Sequence, residues 1–328
     1  MPFPQVSAGA EGLPLVRHLY TCDVATHRYP ADRGLTARMG GTMFLLLLLY
    51  VAFMGALIAV GISFVFVIVI AVVLGFCQYF FSDRIALFAM GAREVSPEQA
   101  PALHGVVDRL CAMADMPKPR VAIAEVDMPN AFATGRSPKA AVVCATTGIL
   151  RRLDEPELEA VLAHELSHVA HRDVAVMTLA GFLGVAAGLL TRVGLYAGMF
   201  GGFGGDDSQG DAGAFAFLAI VGISILVYVL SFLLTRALSR YRELSADRSG
   251  AVLTGRPSTL ASALVKVSGE IARIPTRDLR SAQAFNAFFF APALTRGQNL
   301  AQLLSTHPSL ERRLDQLSRL EAELERPQ

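Results

Sequence analysis

The chain has 328 residues, of which 53% are hydrophobic and only 17% are charged, and its mean hydropathy is +0.46. This composition is too apolar for an ordinary soluble protein and indicates membrane-embedded segments. The net charge of +1, with no cluster of lysine and arginine, gives no reason to expect nucleic-acid binding. The four cysteines are widely separated without a C-x-x-C pair, so we expect reduced thiols that bind no metal.

The first part of the chain is a polar leader followed by a long apolar run. Residues 1–42 contain many prolines, glycines and arginines with weak periodicity, which predicts a loosely ordered leader on the cytoplasmic side. It is not a signal peptide, because the apolar run starts too late and is too long. Residues 43–81 carry no charge, and as one helix they would be about 58 Å long, nearly twice a bilayer core. We predict two spans that turn near Gly61; a single tilted span with a buried extension is the alternative.

Residues 82–173 are predicted to form the first part of a soluble domain, beginning with a helix from Ser96 to Ala114. Alternating and β-branched residues then predict a small sheet from three extended segments: residues 120–126, 130–135 and 140–147. Asp154 as a cap and Pro156 in the first turn predict that another helix follows the sheet directly.

The second part of the chain returns to the membrane. Within residues 174–235, the apolar runs 174–192 and 214–234 predict a third and a fourth span, separated by the glycine- and aspartate-rich loop 201–211. Residues 236–328 then complete the soluble domain. With four spans, the arginines at the span ends fall on the side of the soluble segments, which predicts a cytoplasmic catalytic part.

The helix after Asp154 carries an H-E-x-x-H motif, with His164 and His168 four residues apart. On a helix both imidazoles leave the same face one turn apart and can bind one zinc ion at about 2.0–2.1 Å. Glu165 lies beside them, where its carboxylate can take a proton from a water whose pKa the metal lowers to about 7. The alternative is an ordinary helix with two surface histidines, and the capped, apolar flanks disfavour it.

A catalytic zinc site needs three protein ligands and an open position, so a further ligand must come from elsewhere in the chain. Glu243 and Asp247 follow the fourth apolar run on a predicted continuing helix. One carboxylate can bind the metal while the other orients a ligand imidazole. Alone, such a pair is typical of a solvated helix face; it gains weight because the first motif requires a partner. His171 and Asp173 have the wrong spacing for the metal on an unbroken helix, so we expect supporting or structural roles.

Four segments together resemble the HtpX-type integral membrane zinc metalloproteases, a gluzincin group related to the CAAX prenyl proteases. They are His-Glu-Leu-Ser-His-Val-Ala-His-Arg-Asp at 164–173, Arg-Glu-Leu-Ser-Ala-Asp at 242–247, Asn-Ala-Phe-Ala-Thr-Gly at 130–135 and Thr-His-Pro at 306–308. The resemblance covers roughly residues 43–325, with the motifs and the apolar runs in the family's order. The leader is longer than the family's usual short start.

The resemblance implies a role for each matching residue. Glu243 is implied as the third zinc ligand and Asp247 as its support, with one Zn²⁺ per chain. An edge strand that pairs with the main chain of an extended substrate is implied for Asn130, Ala131, Phe132, Ala133 and Thr134. Asn130 would hold the substrate main chain and His307 would donate to the oxyanion. From the residues alone, an asparagine before a strand is usually a turn residue, and a histidine before proline usually caps the next helix.

These features predict an α+β fold: a mostly helical, membrane-embedded zinc metalloprotease with a small β-sheet beside the HExxH helix and about four transmembrane helices. Glu165 and His307 are the expected catalytic residues of an endopeptidase. The resemblance implies quality control of misfolded membrane proteins in a bacterial-type inner membrane during stress, and self-cleavage. A non-enzymatic zinc scaffold is disfavoured by the intact Glu165, and a transporter by the lack of ionisable residues inside the spans.

Overall fold

The computed structural model describes residues 33–59, 79–173, 210–273 and 307–326, with isolated residues between 65 and 77 and at 176–177 and 187–188. Its helices are α1 (Arg33–Ala59), α2 (Ser82–Ala89), α3 (Pro101–Ala114), α4 (Thr147–Arg152), α5 (Glu155–Ala170), α6 (Gly210–Thr254), α7 (Pro257–Arg273) and α8 (Leu310–Leu324). Its strands are β1 (Ala92–Glu94), β2 (Arg120–Ala124), β3 (Ala131–Thr134) and β4 (Val142–Thr146). The described chain is therefore mostly helical with a small sheet, as the sequence predicts.

The four strands form one mixed sheet in the order β1-β2-β4-β3. The pair β2 and β4 is parallel, whereas β1 pairs with β2 and β3 pairs with β4 in the antiparallel sense. Every residue of the central strand β4 is buried, so its continuous apolar run suits an inner position. Strand β3 lies at the edge of the sheet, beside α5.

Helix α5 is the centre of the soluble part. Its start is fixed by a capping box, in which the Asp154 side chain accepts from the Glu157 N–H and the Glu157 side chain accepts from the Asp154 N–H. The side chains of Val161, Leu162 and Leu166 are fully buried in a core that α3, the sheet, α7 and α8 share. Burying three such side chains contributes roughly 1.5–3 kcal/mol each, so α5 is a rigid platform for the residues between them.

Two helices in the described part of the chain are long and apolar enough to cross a membrane, with candidate spans at Thr36–Ala56 and Leu218–Thr254. They pack against each other through a cluster that contains Leu46, Phe53, Val227 and Leu238. Other large apolar side chains on the same helices face outward, for example Phe44 with 59% and Leu218 with 64% exposure. An apolar outer surface of this kind is typical of helices that contact lipid.

Several sequence-predicted boundaries differ from the observed ones. Helix α1 begins at Arg33, so residues 33–42 are helical and not a loosely ordered leader. Helix α6, by contrast, runs unbroken through residue 235, as predicted for a helix that continues from the fourth apolar run to Glu243 and Asp247. Most of the second span of the predicted pair, of the third span and of the loop 201–211 lies outside the described residues, as does the predicted leader before Arg33.

The first soluble helix also starts later than predicted, at Pro101 instead of Ser96. Proline disfavours helical geometry in the residue before it, and Ala100 accordingly has an extended φ of −141°. The residues before it form a turn in which the N–H groups of Gln99 and Ala100 donate to the Ser96 carbonyl. The helix therefore starts at Pro101.

Candidate metal centre

The motif histidines and the later carboxylates meet where α5 crosses α6. His164 and His168 lie one turn apart on α5, and their ring centroids are 5.0 Å apart. Glu243 of α6 lies opposite both rings, and all three side chains are buried. The structure thus brings together two segments that are far apart in the sequence.

The three side chains direct their donor atoms at one point. His164 Nε2 lies 3.7 Å from Glu243 Oε2, and His168 Nε2 lies 3.5 Å from Glu243 Oε1. Ligand atoms at ~2.05 Å around a tetrahedral zinc ion are about 3.4 Å from one another. One donor atom from each residue falls within 4.8 Å of the other two. The set of two imidazole nitrogens and one carboxylate oxygen, with a fourth position left open, fits a catalytic zinc ion.

The outward nitrogen of each histidine contacts an aspartate. Asp247 Oδ1 lies 2.9 Å from His164 Nδ1, and Asp173 Oδ2 lies 2.7 Å from His168 Nδ1. A carboxylate in this position holds the proton on Nδ1 and leaves the Nε2 lone pair for a metal. Burial alone lowers the pKa of His164, but the carboxylates of Asp247 and Glu243 outweigh it and raise that pKa to about 9 without a metal ion, so a metal ion that binds Nε2 must displace a proton from it.

Two buried arginines hold these aspartates. Arg313 of α8 donates from Nε to Asp247 Oδ2 at 2.7 Å and from Nη2 to Asp247 Oδ1 at 2.6 Å, and its side chain is 1% exposed. Arg242 Nε lies 3.0 Å from Asp173 Oδ2. Burial on its own raises the pKa of Asp173, but the Arg242 guanidinium and the His168 ring hold it below its ordinary value. Both aspartates therefore stay ionised beside their histidines.

Glu165 lies beside the two histidines and reaches the edge of the sheet. Its Oε2 accepts a hydrogen bond of 3.1 Å from the Ala133 N–H of β3. The side chain is buried, and this burial raises the pKa of the carboxyl group. A higher pKa makes this carboxylate a better proton acceptor.

The N–H of Ala133 is free to reach Glu165 because of the strand register. In β3, Phe132 and Thr134 stand opposite Cys144 and Val142, while Ala133 stands opposite Val143. The Thr146 N–H donates to the Asn130 carbonyl. Since hydrogen-bonded pairs alternate along an antiparallel ladder, the even-numbered residues of β3 are the ones that exchange hydrogen bonds with β4. The backbone groups of the odd-numbered residues point away from the sheet, towards the metal centre.

Of the remaining predicted residues, His307 lies at the metal centre, and Asn130 and Phe132 lie in or next to the sheet. His307 is buried, and its Nδ1 is 2.9 Å from Glu243 Oε2. Asn130 is 1% exposed at the start of β3, and its N–H donates to Thr146 Oγ1 at 2.9 Å. Phe132 packs into the sheet's own apolar cluster. The strand is thus anchored at one end while its outer edge faces α5.

Gly250 allows α6 to approach α5 closely. A Cβ atom at this position would lie 2.8 Å from the backbone nitrogen of His164 and 3.0 Å from its Cα. No side chain fits at these distances unless one of the two helices moves. Glu243, Asp247 and Gly250 recur at helical spacing, so one face of α6 carries all three. The glycine sets the helix separation at which the two carboxylates reach the histidines.

Sequence reasoning missed Gly250, Arg242 and Arg313, and it left Asp173 without a defined role. Helix α5 ends at Ala170, and Arg172 takes a left-handed φ of 56°. This reversal returns Asp173 to the preceding turn, where it meets His168. The assumption of an unbroken helix hid that contact.

Comparisons with known proteins identify the family of this chain. The profile of Peptidase family M48 matches residues 97–321. The Protease HtpX homolog 1 of Streptomyces coelicolor is 63% identical over 90% of this chain and 96% of its own length. The Protease HtpX homolog of Moorella thermoacetica is 55% identical over 90% of this chain and 97% of its own length.

A solved structure shares the fold. The crystal structure of S. mikatae Ste24p superposes with a TM-score of 0.50 at 16% sequence identity, covering 86% of this chain and 67% of that protein. The predicted resemblance to HtpX-type proteases is confirmed by the family profile and by the two curated relatives. The chain therefore belongs to peptidase family M48 and is a metalloendopeptidase.

Proposed function

We propose that this peptidase is a zinc-dependent enzyme of a membrane, with His164, His168 and Glu243 as the ligands of one Zn²⁺ per chain. The observation that carries the proposal is the convergence of their three donor atoms within 4.8 Å in a buried position. The aspartates behind the two rings add a second argument, since they fix both Nε2 lone pairs towards the same point. A zinc ion held there supplies a Lewis acid that activates water and polarises the scissile carbonyl.

Glu165 is the proposed general base. Its raised pKa allows it to take a proton from the attacking water and later deliver it to the leaving amine. Its carboxylate lies between the histidines and β3, so the proton moves next to the strand on which we place the substrate. A non-catalytic zinc site has no need of a buried carboxylate in this position.

The outer edge of β3 is the proposed substrate-binding strand. The backbone groups of Ala131 and Ala133 point away from β4, so an extended polypeptide can add there as a further strand. Phe132 and Thr134 hold β3 in the sheet, and Asn130 at its start holds the substrate main chain. Backbone pairing of this kind accepts many sequences, which suits unfolded polypeptides as substrates.

His307 is the proposed donor to the oxyanion. It lies against Glu243 through Nδ1, which orients the ring beside the metal centre. Removal of a single donor of this kind costs about 3–4 kcal/mol of transition-state stabilisation in other enzymes. Asp247 has no direct part in the reaction and positions His164.

The membrane placement rests on the two apolar helices α1 and α6 and on their outward apolar side chains. We propose a multi-pass protein of a bacterial-type inner membrane, with the soluble part in the cytoplasm. Arg38 of α1 and Arg236 and Arg240 of α6 flank the apolar runs of these helices on the side of the soluble part. An excess of arginine at span ends is typical of the cytoplasmic side. The proposed substrates are misfolded membrane proteins.

The test combines metal analysis with proteolysis of an unfolded polypeptide such as casein. We expect one zinc ion per chain, loss of cleavage on chelation and recovery on addition of zinc. Glu165→Gln should keep the zinc and lose cleavage, whereas Glu243→Gln should lose both. Cleavage at the wild-type rate by Glu165→Gln, or by the metal-free chain, would contradict the proposed chemistry.

A further inference from the structure

A basic cleft of about 360 Å³ lies between the start of α1, the later part of α6 and helix α8. Its wall contains four arginines and two carboxylates: Arg38, Arg248, Arg312, Arg319, Asp315 and Glu323. The cleft is separate from the metal centre, although α6 and α8 contribute to both. Its excess of positive charge indicates an anionic occupant.

The arginines of the cleft are only partly neutralised. Arg319 lies 2.7 Å from Asp315, and Arg248 lies 3.9 Å from Glu323. Arg38 and Arg312 form no ion pair with any residue that the structure describes, and the Arg38 guanidinium instead lies over the Tyr241 ring at 4.8 Å. Planar guanidinium groups bind phosphate oxygens with two parallel hydrogen bonds.

A buried hydroxyl on the wall of the cleft is a second, independent sign of a ligand. Ser245 is 4% exposed and lines the cleft. Its Oγ has no hydrogen-bond partner within the described part of the chain. A buried hydroxyl without a partner destabilises the folded chain, and an anion in the cleft would accept its hydrogen bond.

The cleft lies just beyond the outward apolar surface of the two candidate spans. Arg38 precedes the exposed Phe44 by six residues, and Tyr241 follows the exposed Leu233 by eight. On a helix these steps correspond to about 9 and 12 Å. The headgroup layer extends roughly 5–8 Å beyond the hydrocarbon core on each side, so the cleft opens at the outer boundary of the headgroup layer, next to the water.

We propose that this cleft binds the phosphate of an anionic membrane phospholipid. The inference rests on the membrane placement proposed above. The chemistry it needs is a phosphate ester, and the position at the end of two apolar helices favours a lipid over free phosphate. A bound headgroup would bridge α1, α6 and α8 beside the turn that carries Glu243 and Asp247.

The test measures lipid binding by native mass spectrometry on the full chain with Glu165→Gln, which removes turnover. The probes are phosphatidylglycerol and phosphatidylcholine. We expect one phosphatidylglycerol per chain, bound on the order of tenfold more tightly than phosphatidylcholine. Arg248→Gln with Arg312→Gln should abolish the preference, and Arg248→Lys with Arg312→Lys should retain most of it.

A matched control removes two exposed arginines outside the cleft, Arg93 and Arg151, by substitution to glutamine. Equal loss in this control, or equal affinity for the two lipids, would overturn the proposal, as would displacement of the lipid by millimolar inorganic phosphate. Flotation of every variant with neutral phosphatidylcholine vesicles tests the membrane placement separately. Variants that float but lose the preference support the cleft, and chains that do not float contradict the placement itself.

Discussion

Asp173 Oδ2 lies 2.7 Å from His168 Nδ1, although the two residues are joined by a helix end and a left-handed turn. The same arrangement recurs at His164, where Asp247 comes from a different helix. Two histidines from one motif are therefore oriented by carboxylates with unrelated positions in the sequence. A zinc site with both rings fixed in this way loses little entropy when the metal binds.

Asp173→Asn should weaken zinc binding by about 10–100-fold, because a neutral amide supports the His168 ring less and leaves Arg242 without its carboxylate. Competition with a chromophoric chelator measures the affinity. Asp108→Asn, at an exposed aspartate of α3 that pairs with Lys118, is the control. Equal zinc affinity of the Asp173 variant and the control would show that this contact does not support the metal.

Gly250→Ala should lower kcat/KM by about tenfold or more. The added methyl group would lie 2.8 Å from the His164 backbone, so α6 must move away and carry Glu243 with it. Gly222→Ala lies on the same helix with nothing within 4 Å of the new atom and should retain full activity. If both variants cleave at the wild-type rate, close helix approach is not required.

Ala133→Pro should abolish cleavage while leaving the fold intact. Proline removes the N–H that points to Glu165, and edge strands tolerate proline where the N–H faces away from the sheet. Ala133→Ser keeps the N–H and should remain active. Zinc content and thermal unfolding of both variants check the fold, and a fully active proline variant would refute substrate pairing on β3.

Glu157→Gln should reduce the free energy of unfolding by about 1–3 kcal/mol, because charged hydrogen bonds are lost. Glu157 accepts from Lys266 Nζ and Ser262 Oγ, each at 2.7 Å. The expected loss is measured by thermal unfolding in detergent. The exposed Glu155 in the same first turn offers a control, and Glu155→Gln should change stability far less.

The contribution of Glu157 should also depend on pH. Burial raises the pKa of this carboxyl group, but Lys266, Ser262 and the Asp154 N–H outweigh burial and lower it below 4.5. The stabilisation is therefore complete above about pH 4.5 and is lost as the pH falls through the lower folded-state pKa. Wild type and Glu157→Gln should converge in stability at acid pH, and a constant difference would contradict this assignment.

The sequence predicted the residues that have strong local signals. H-E-x-x-H predicts a helix with both histidines on one face, and Asp154 with Pro156 indicates where that helix begins. Glu243 and Asp247 share a helical face, so their cooperation could be predicted once a third ligand was required. In each case the information lies within one or two helical turns.

The contacts that the sequence did not reveal depend on tertiary packing. Arg313 reaches Asp247 from α8, and nothing near either residue in the sequence indicates that pairing. Gly250 matters only because of its distance to His164 across a helix crossing. The contact between Asp173 and His168 depends on a helix end at Ala170 and on a positive φ at Arg172. That conformation is uncommon for a non-glycine residue.

Helix α6 is a single rod of 45 residues, about 68 Å long, and Glu243 belongs to the same rod as the candidate span. A slide along its axis by the rise of one residue would move that carboxylate by about 1.5 Å. Such a step would carry Glu243 off the line of the two histidines. If Glu243 binds the metal as proposed, the thickness of the surrounding bilayer, which affects the position and tilt of a span, would also affect the geometry of the metal centre.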